Sequence, residues 1–260
     1  MIDTHCHLTG DRYADGVDAV LDRARAAGVT GMVAVAVDVD DSVAASDLAS
    51  RHADVWATAG VHPSEADRDH EVAALAAMVR GPRCVAWGEM GLDGHWPEPS
   101  LERQKMLLER QLDLIATTDA AGGPRRPIIL HSRKALGELL AMLQNTDLAG
   151  DRFIFHCFTD GPVEVEKVLQ LGAAVSFTGV VTYRNAADVA AASDRVPLEQ
   201  LMVETDSPYL TPEPLRGKRP NQPANVVHVA RFLAARRGLS LADFEAATDA
   251  TARRLFGLDS

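Results

Sequence analysis

The chain has 260 residues, 47% of them hydrophobic and 24% charged, with a formal net charge of −11. That length suits one large core, a single domain over 1–260, since α/β barrels often run to this size as one unit. The acidic balance excludes a broad basic surface gripping duplex DNA through many phosphates, yet leaves room for a substrate with one or two.

No apolar run approaches the roughly 20 residues of a membrane helix, and no basic region followed by an apolar one opens the chain. A soluble, cytoplasmic protein with no membrane or obligate protein partner is expected. Three scattered cysteines, Cys6, Cys84 and Cys157, are too few for a disulfide framework and read as small buried thiols.

The chain opens M-I-D-T-H-C-H-L. On an extended strand His5 and His7 point to one face, so one strand end aims two imidazoles at one point. Val17, Val20, Leu21 and Ala24 then recur at helical spacing before Gly28. The run 31–37, G-M-V-A-V-A-V, suits a strand covered on both faces. A helix over 41–52 and a strand over 55–60 lead into Val61-His62-Pro63. The Ala-rich 71–80 predicts a helix, and 84–88 a strand running into Gly88-Glu89-Met90-Gly91-Leu92-Asp93. The longest helical pattern covers 101–118, with Leu108, Leu112 and Ile115 on one stripe. A strand over 127–130 ends at His131, a helix follows over 135–143, and a strand over 153–155 ends at His156. A helix over 162–171, a strand over 173–177 and a weak helix over 186–196 come next. A strand over 201–204 reaches Thr205-Asp206-Ser207-Pro208, and a Pro/Arg-rich loop precedes helices over about 224–237 and 242–255.

Eight strand-helix alternations in this length predict a (β/α)8 TIM barrel. An open doubly wound sheet has fewer strands, and no G-x-G-x-x-G follows the first one. In a barrel the chemistry sits at the C-terminal ends of the strands. His5, His7, His62, Glu89, His131, His156 and Asp206 all fall at or just after a strand run, positions that random placement of nine histidines would not favour. The set holds enough ligands for two divalent metals. Nitrogen and oxygen donors without thiolate suit Zn, Mn, Ni or Fe, with Mg where carboxylates and water dominate.

These motifs resemble those of the TatD family of metal-dependent deoxyribonucleases, within the amidohydrolase-like barrels. The resemblance rests on Asp3-Thr4-His5-Cys6-His7-Leu8, Gly60-Val61-His62-Pro63, Gly88–Asp93, Leu130-His131-Ser132-Arg133, His156-Cys157-Phe158, Glu204–Leu210 and Arg216-Gly217. It implies a two-metal site in which His5, His7 and Asp206 hold one ion, His131 and His156 the other, and Glu89 bridges. It also implies that His62 and Arg133 face a substrate phosphate, and that single-stranded DNA ends are cleaved exonucleolytically by metal-activated water with Asp206 as base. Two stretches depart from the family pattern. Gly94-His95-Trp96-Pro97 stands where an aromatic pair is usual, and Gln222 stands where an acidic residue is common. Both lie in loops near the mouth and bear on substrate preference.

Related barrel hydrolases often bridge their metals with a modified lysine on the fourth strand. Glu89 occupies that place, and Lys105, Lys134, Lys167 and Lys218 lie elsewhere. Competing readings remain for each residue: an exposed loop carboxylate for Glu89, a helix cap for Asp206, packing beside Pro63 for His62, and solvation of a helix start for Arg133. Glu204 reads as a supporting carboxylate. His52, His70 and His228 read as surface residues, and Arg216–Arg219 as the basic run best suited to flanking phosphates. The same site chemistry also serves a deacylase acting on an ester or amide such as an aminoacyl-tRNA. A barrel that binds without catalysis is the third possibility.

Overall fold

The computed structural model describes residues 1–258. Its strands are β1 (Ile2–Cys6), β2 (Gly31–Ala34), β3 (Val55–Ala59), β4 (Cys84–Asp93), β5 (Ile128–Arg133), β6 (Phe153–Phe155), β7 (Ala174–Phe177) and β8 (Leu201–Val203). They pair in parallel and in sequence order, β1 to β8. The circle is nearly closed where β1 meets the residues after β8: His7 N donates to Ser207 O at 2.7 Å and Asp206 N to His5 O at 2.9 Å. The helices that return the chain are α1 (Val17–Ala26), α2 (Val39–Arg51), α3 (Leu75–Met78), α4 (Leu101–Ala120), α5 (Leu136–Gln144), α6 (Pro162–Gln170), α7 (Ala187–Ser193), α8 (Val226–Arg237) and α9 (Leu241–Phe256). This is the TIM barrel expected from the alternation.

Local chemistry sets the helix starts. The side chains of Asp38, Ser100 and Ser240 accept from the backbone N–H of Asp41, Arg103 and Asp243, satisfying donors that a first helical turn leaves unpaired. On α4, Leu108, Leu112 and Ile115 are buried as their spacing predicts. Two apolar clusters result. The larger joins the outer faces of the strands to the helices. The smaller collects Ile2, Val33, Val35, Val85, Ile129, Ile154 and Met202 with Phe256 and Leu258 of the C-terminal segment. Among the described residues, no helix is long and apolar enough to cross a membrane.

Two elements differ from expectation. Residues 71–80 form only a 3-10 turn (Val72–Ala74) and the single turn of α3. Alanine propensity alone does not sustain a short helix; Val72, Leu75 and Val79 are its buried anchors before Gly81-Pro82. The second difference matters more. β4 runs on to Asp93 rather than stopping at Gly88, and β5 continues to Arg133, so Glu89 and His131 lie within strands. Gly91 permits this extension. Its φ is +144°, and a Cβ there would sit 2.1 Å from His131 O.

Gly91→Ala is therefore expected to destabilise the protein by about 3 kcal/mol or more, since both the positive φ and the carbonyl oppose a side chain. Denaturant unfolding checks this; a loss within about 0.5 kcal/mol, the range of a neutral surface change, would contradict the packing.

Candidate metal centre

The strand ends enclose an open cavity of about 760 Å3, with Glu89 on its floor. Glu89 Oε2 lies 3.2 Å from His5 Nε2 and 3.9 Å from His7 Nε2. Its Oε1 lies 2.6 Å from His156 Nε2, 2.8 Å from His131 Nδ1 and 3.5 Å from His62 Nε2. Asp206 Oδ1 stands 3.4 Å from His7 Nε2 and 3.8 Å from His5 Nε2. Six elements thus contribute: β1, the turn after β3, β4, β5, and the turns after β6 and β8. Asp206 makes its turn with φ 51°, a left-handed conformation that Asp tolerates better than most residues.

The donor set suits cations. Three groups each bring their ligand atoms within 4.8 Å of one another: His5, His7 and Asp206; His5, Glu89 and His156; His62, Glu89 and His131. Both ring nitrogens of His5 are buried without a hydrogen-bond partner. That costs free energy in an empty core but not beside an ion. His7 Nδ1 lies 3.0 Å from Val35 O and can donate only to it, which leaves Nε2 with its lone pair toward the cavity.

Charge and burial oppose each other here. Burial alone would raise the Glu89 carboxyl, but His156, His62, His5 and the hydrogen bond with His131 hold it well below the ordinary carboxylate range. Burial would likewise raise Asp206, and the hydrogen bond with His7 and the charges of His5, His7 and His156 lower it instead. Burial lowers His62 to about 3, against the pull of Glu89. The same burial disfavours charge on His156, yet Glu89 and Glu204 raise it well above its usual value.

The outer supports were less visible in sequence. Asp93 was not singled out, yet its Oδ2 lies 3.2 Å from His131 Nε2. The signal was present: residues 89, 91 and 93 share one face of a strand, so Asp93 extends the line of Glu89. Glu204 is a supporting carboxylate as expected, accepting from Ser176 Oγ at 2.6 Å and Cys157 N at 2.7 Å, and it lies 3.5 Å from His156 Nδ1. Asp3 accepts from Thr205 N at 2.9 Å and Thr205 Oγ1 at 2.6 Å, tying β1 to β8.

Around the rim, Arg133 and His62 line the cavity, and His62 also stands within the cluster of Glu89 and His131. Arg12, Trp96 and Tyr209 line it too. Four placements differ from expectation. Cys157 is half-buried with φ 46° and lines the cavity, because the turn after β6 swings it away from the core. Gln222 lies outside the cavity: it accepts from Arg23 Nε of α1 at 2.6 Å. Arg216 packs its guanidinium 3.9 Å from the centre of the Tyr183 ring and donates to Asn185, so the basic run 216–219 is anchored away from the lining. His52, His70 and His228 are half-buried rather than fully on the surface.

A family model described as TatD related DNase matches residues 2–257. The chain belongs to the TatD family. It is 35% identical to uncharacterized metal-dependent hydrolase YcfH of Escherichia coli K12, covering 100% of this chain and 97% of that protein. It is also 35% identical to a Klebsiella pneumoniae protein named 3'-5' ssDNA/RNA exonuclease TatD, covering 100% of this chain and 98% of the relative. Among solved structures, YJJV, a TatD homologue from Escherichia coli K12, superposes with a TM-score of 0.89 at 28% identity, covering 100% of this chain and 98% of the other. The chain is thus a TatD-family metal-dependent hydrolase, and its cluster of imidazoles and carboxylates lies where such a barrel carries its chemistry.

Burial raises the Asp3 carboxyl from 3.8 to about 8. The folded, metal-stripped chain therefore keeps a proton between about pH 4 and 8 that the unfolded chain releases, and stability contributed by Asp3 falls as pH rises across that window. Asp3→Asn should flatten the pH dependence of the melting temperature there and leave the variant relatively more stable at pH 8 than at pH 4. An unchanged slope in EDTA would contradict it.

Proposed function

We propose that the TatD-family chain, acting as one hydrolase domain over its full length, cleaves phosphodiester bonds in single-stranded DNA from an end. The observation that carries this reading is a buried nest of imidazoles and carboxylates at the bottom of an open cavity whose wall holds Arg133 and Arg12. The name borne by the Klebsiella pneumoniae relative supports it. A cavity that ends in a closed floor takes a strand terminus more readily than the middle of a continuous duplex.

Two divalent ions, Mg, Mn, Zn or Ni, fit the donors. His5, His7 and Asp206 would hold one, His131 and His156 the other, with Glu89 between them. Such ions lower the pKa of water and neutralise charge that builds up on the phosphoryl oxygens. The chain's own residues do the rest. Asp206, held ionised by its histidine neighbours, accepts the proton of the attacking water at its free carboxylate oxygen. Arg133 presents a planar guanidinium that matches two phosphate oxygens and orients the diester. His62, kept neutral by burial, supplies a hydrogen bond without adding charge. Val35 O and Glu204 keep the rings of His7 and His156 in orientation.

The test is digestion of 5'- and 3'-labelled single-stranded DNA by metal-loaded protein. Activity with Mg2+ or Mn2+ is expected, lost in EDTA and restored by either ion. Asp206→Ala should lower kcat by roughly 10^2- to 10^4-fold, the usual contribution of a positioned general base, with the melting curve little changed. Arg133→Ala should act mainly on KM. Turnover of an aminoacyl ester but of no oligonucleotide, by the same folded and loaded protein, would overturn the nuclease reading in favour of a deacylase.

A further inference from the structure

Five large hydrophobic side chains are markedly exposed among the described residues: Val43, Trp96, Met106, Val163 and Tyr209. The two aromatic ones both line the cavity, and the other three do not. Trp96 follows β4 and Tyr209 follows β8. Those strands stand four apart in a ring of eight, so the two rings face the mouth from opposite sides. Trp96 is 61% exposed and Tyr209 52%, which leaves ring faces open. Exposing that much aromatic surface costs solvation free energy that burial would recover.

Each ring is braced rather than loose. The His95 ring abuts Trp96 edge-on, with centroids 4.6 Å apart, and His95 N donates to Asp93 Oδ1 at 2.8 Å, fixing the loop to the end of β4. On the far side, Arg12 Nη1 donates to Tyr209 Oη at 3.1 Å, and the Tyr209 ring lies edge-on to His7 at 6.2 Å. Arg12 thus sets a cationic group beside one ring, and Arg133, at the end of β5, lines the same cavity.

We propose that Trp96 and Tyr209 form a stacking subsite for the unpaired bases of a single strand whose phosphate lies over Glu89. This rests on the nuclease reading above and deepens it. Aromatic faces take any base, because every base has a π-face, while nearby arginines follow the phosphates. Paired bases in a duplex keep their faces covered by their neighbours and cannot use the rings. The subsite therefore selects single strands, with little preference of sequence.

The experiment uses the full, metal-loaded chain, a short oligothymidylate, and the same strand with base-free sugars at both terminal stretches. The two share every phosphate and differ only in bases. Wild type should cleave the base-bearing strand with a kcat/KM at least about tenfold higher, and Trp96→Ala should collapse that ratio by about tenfold, chiefly through KM, in line with the worth of one stacked base. Trp96→Tyr should restore most of it. Tryptophan fluorescence adds a second readout: Trp87 is fully buried and Trp56 half-buried, so the exposed Trp96 is the residue a strand can reach. In the Asp206→Ala background the base-bearing strand should quench it and the base-free strand should not. An active wild type whose ratio survives Trp96→Ala, or equal quenching by both strands, overturns the stacking subsite alone. A wild type that cleaves neither strand with any ion overturns the nuclease reading and the subsite with it.

Discussion

A single buried carboxylate holds this architecture to its purpose. Glu89 is 2% exposed, yet four imidazoles stand within 3.5 Å of it. An isolated carboxylate removed from water costs several kcal/mol. Glu89 is tolerable only because positive or donating groups meet it from several directions at once. Those groups come from β1, the turn after β3, β5 and the turn after β6, distant along the chain. Only a closed parallel ring brings such strand ends to one point, so the electrostatic need and the fold are the same constraint.

The constraint spreads outward in layers. His7 is oriented by Val35 O and His156 by Glu204, whose own oxygens are tied to Ser176 and the backbone of Cys157. Asp3 bonds Thr205 and so locks the first strand to the eighth at the seam of the barrel. The bonds to Val35 O, Ser176, Cys157 N and Thr205 each satisfy a buried polar group that would otherwise destabilise the fold. Both ring nitrogens of His5 and Nδ1 of His156 are left without a hydrogen-bond partner. A buried centre that leaves ring nitrogens of two histidines without a partner suits one completed from outside the chain.

The strand positions were legible because both faces of each strand are covered, which demands the continuous apolar runs read at 31–37 and 153–155. The residues of the inner cluster were legible because a barrel orders them at the runs' ends. Three things escaped for physical reasons. β4 overran Gly88 because a glycine looks like a terminus in sequence, whereas here Gly91 admits the carbonyl of His131 and prolongs the pairing. Asp93 hid behind that misplaced end, although its spacing from Glu89 was right. Asp3 and Arg12 depend on partners about 200 residues away, Thr205 and Tyr209, and no local pattern encodes such a contact. Conversely, Gln222 and Arg216 drew attention as motif members and proved to bond Arg23 and Asn185 outside the cavity.

The floor and the rim answer different questions. Imidazoles and carboxylates around a cation suit attack of water on phosphorus and on carbonyl carbon alike, because both reactions build negative charge on oxygen. Nothing at the depth of Glu89 distinguishes a diester from an ester. Discrimination must come from groups that reach the substrate farther out, among them Arg12, Arg133, Trp96 and Tyr209. Glu65 and Asp93 line the same cavity as Arg12 and Arg133, so on a chain with a net charge of −11 the attraction for an anion rests on short-range contacts with the two arginines and on whatever cations the floor would hold. A free aminoacyl ester offers the guanidinium groups no phosphate, whereas a substrate carrying phosphates and flat bases, an oligonucleotide or the acceptor end of a tRNA alike, matches both kinds of rim group at once. The rim, more than the floor of imidazoles and carboxylates, is therefore where this hydrolase chooses its substrate.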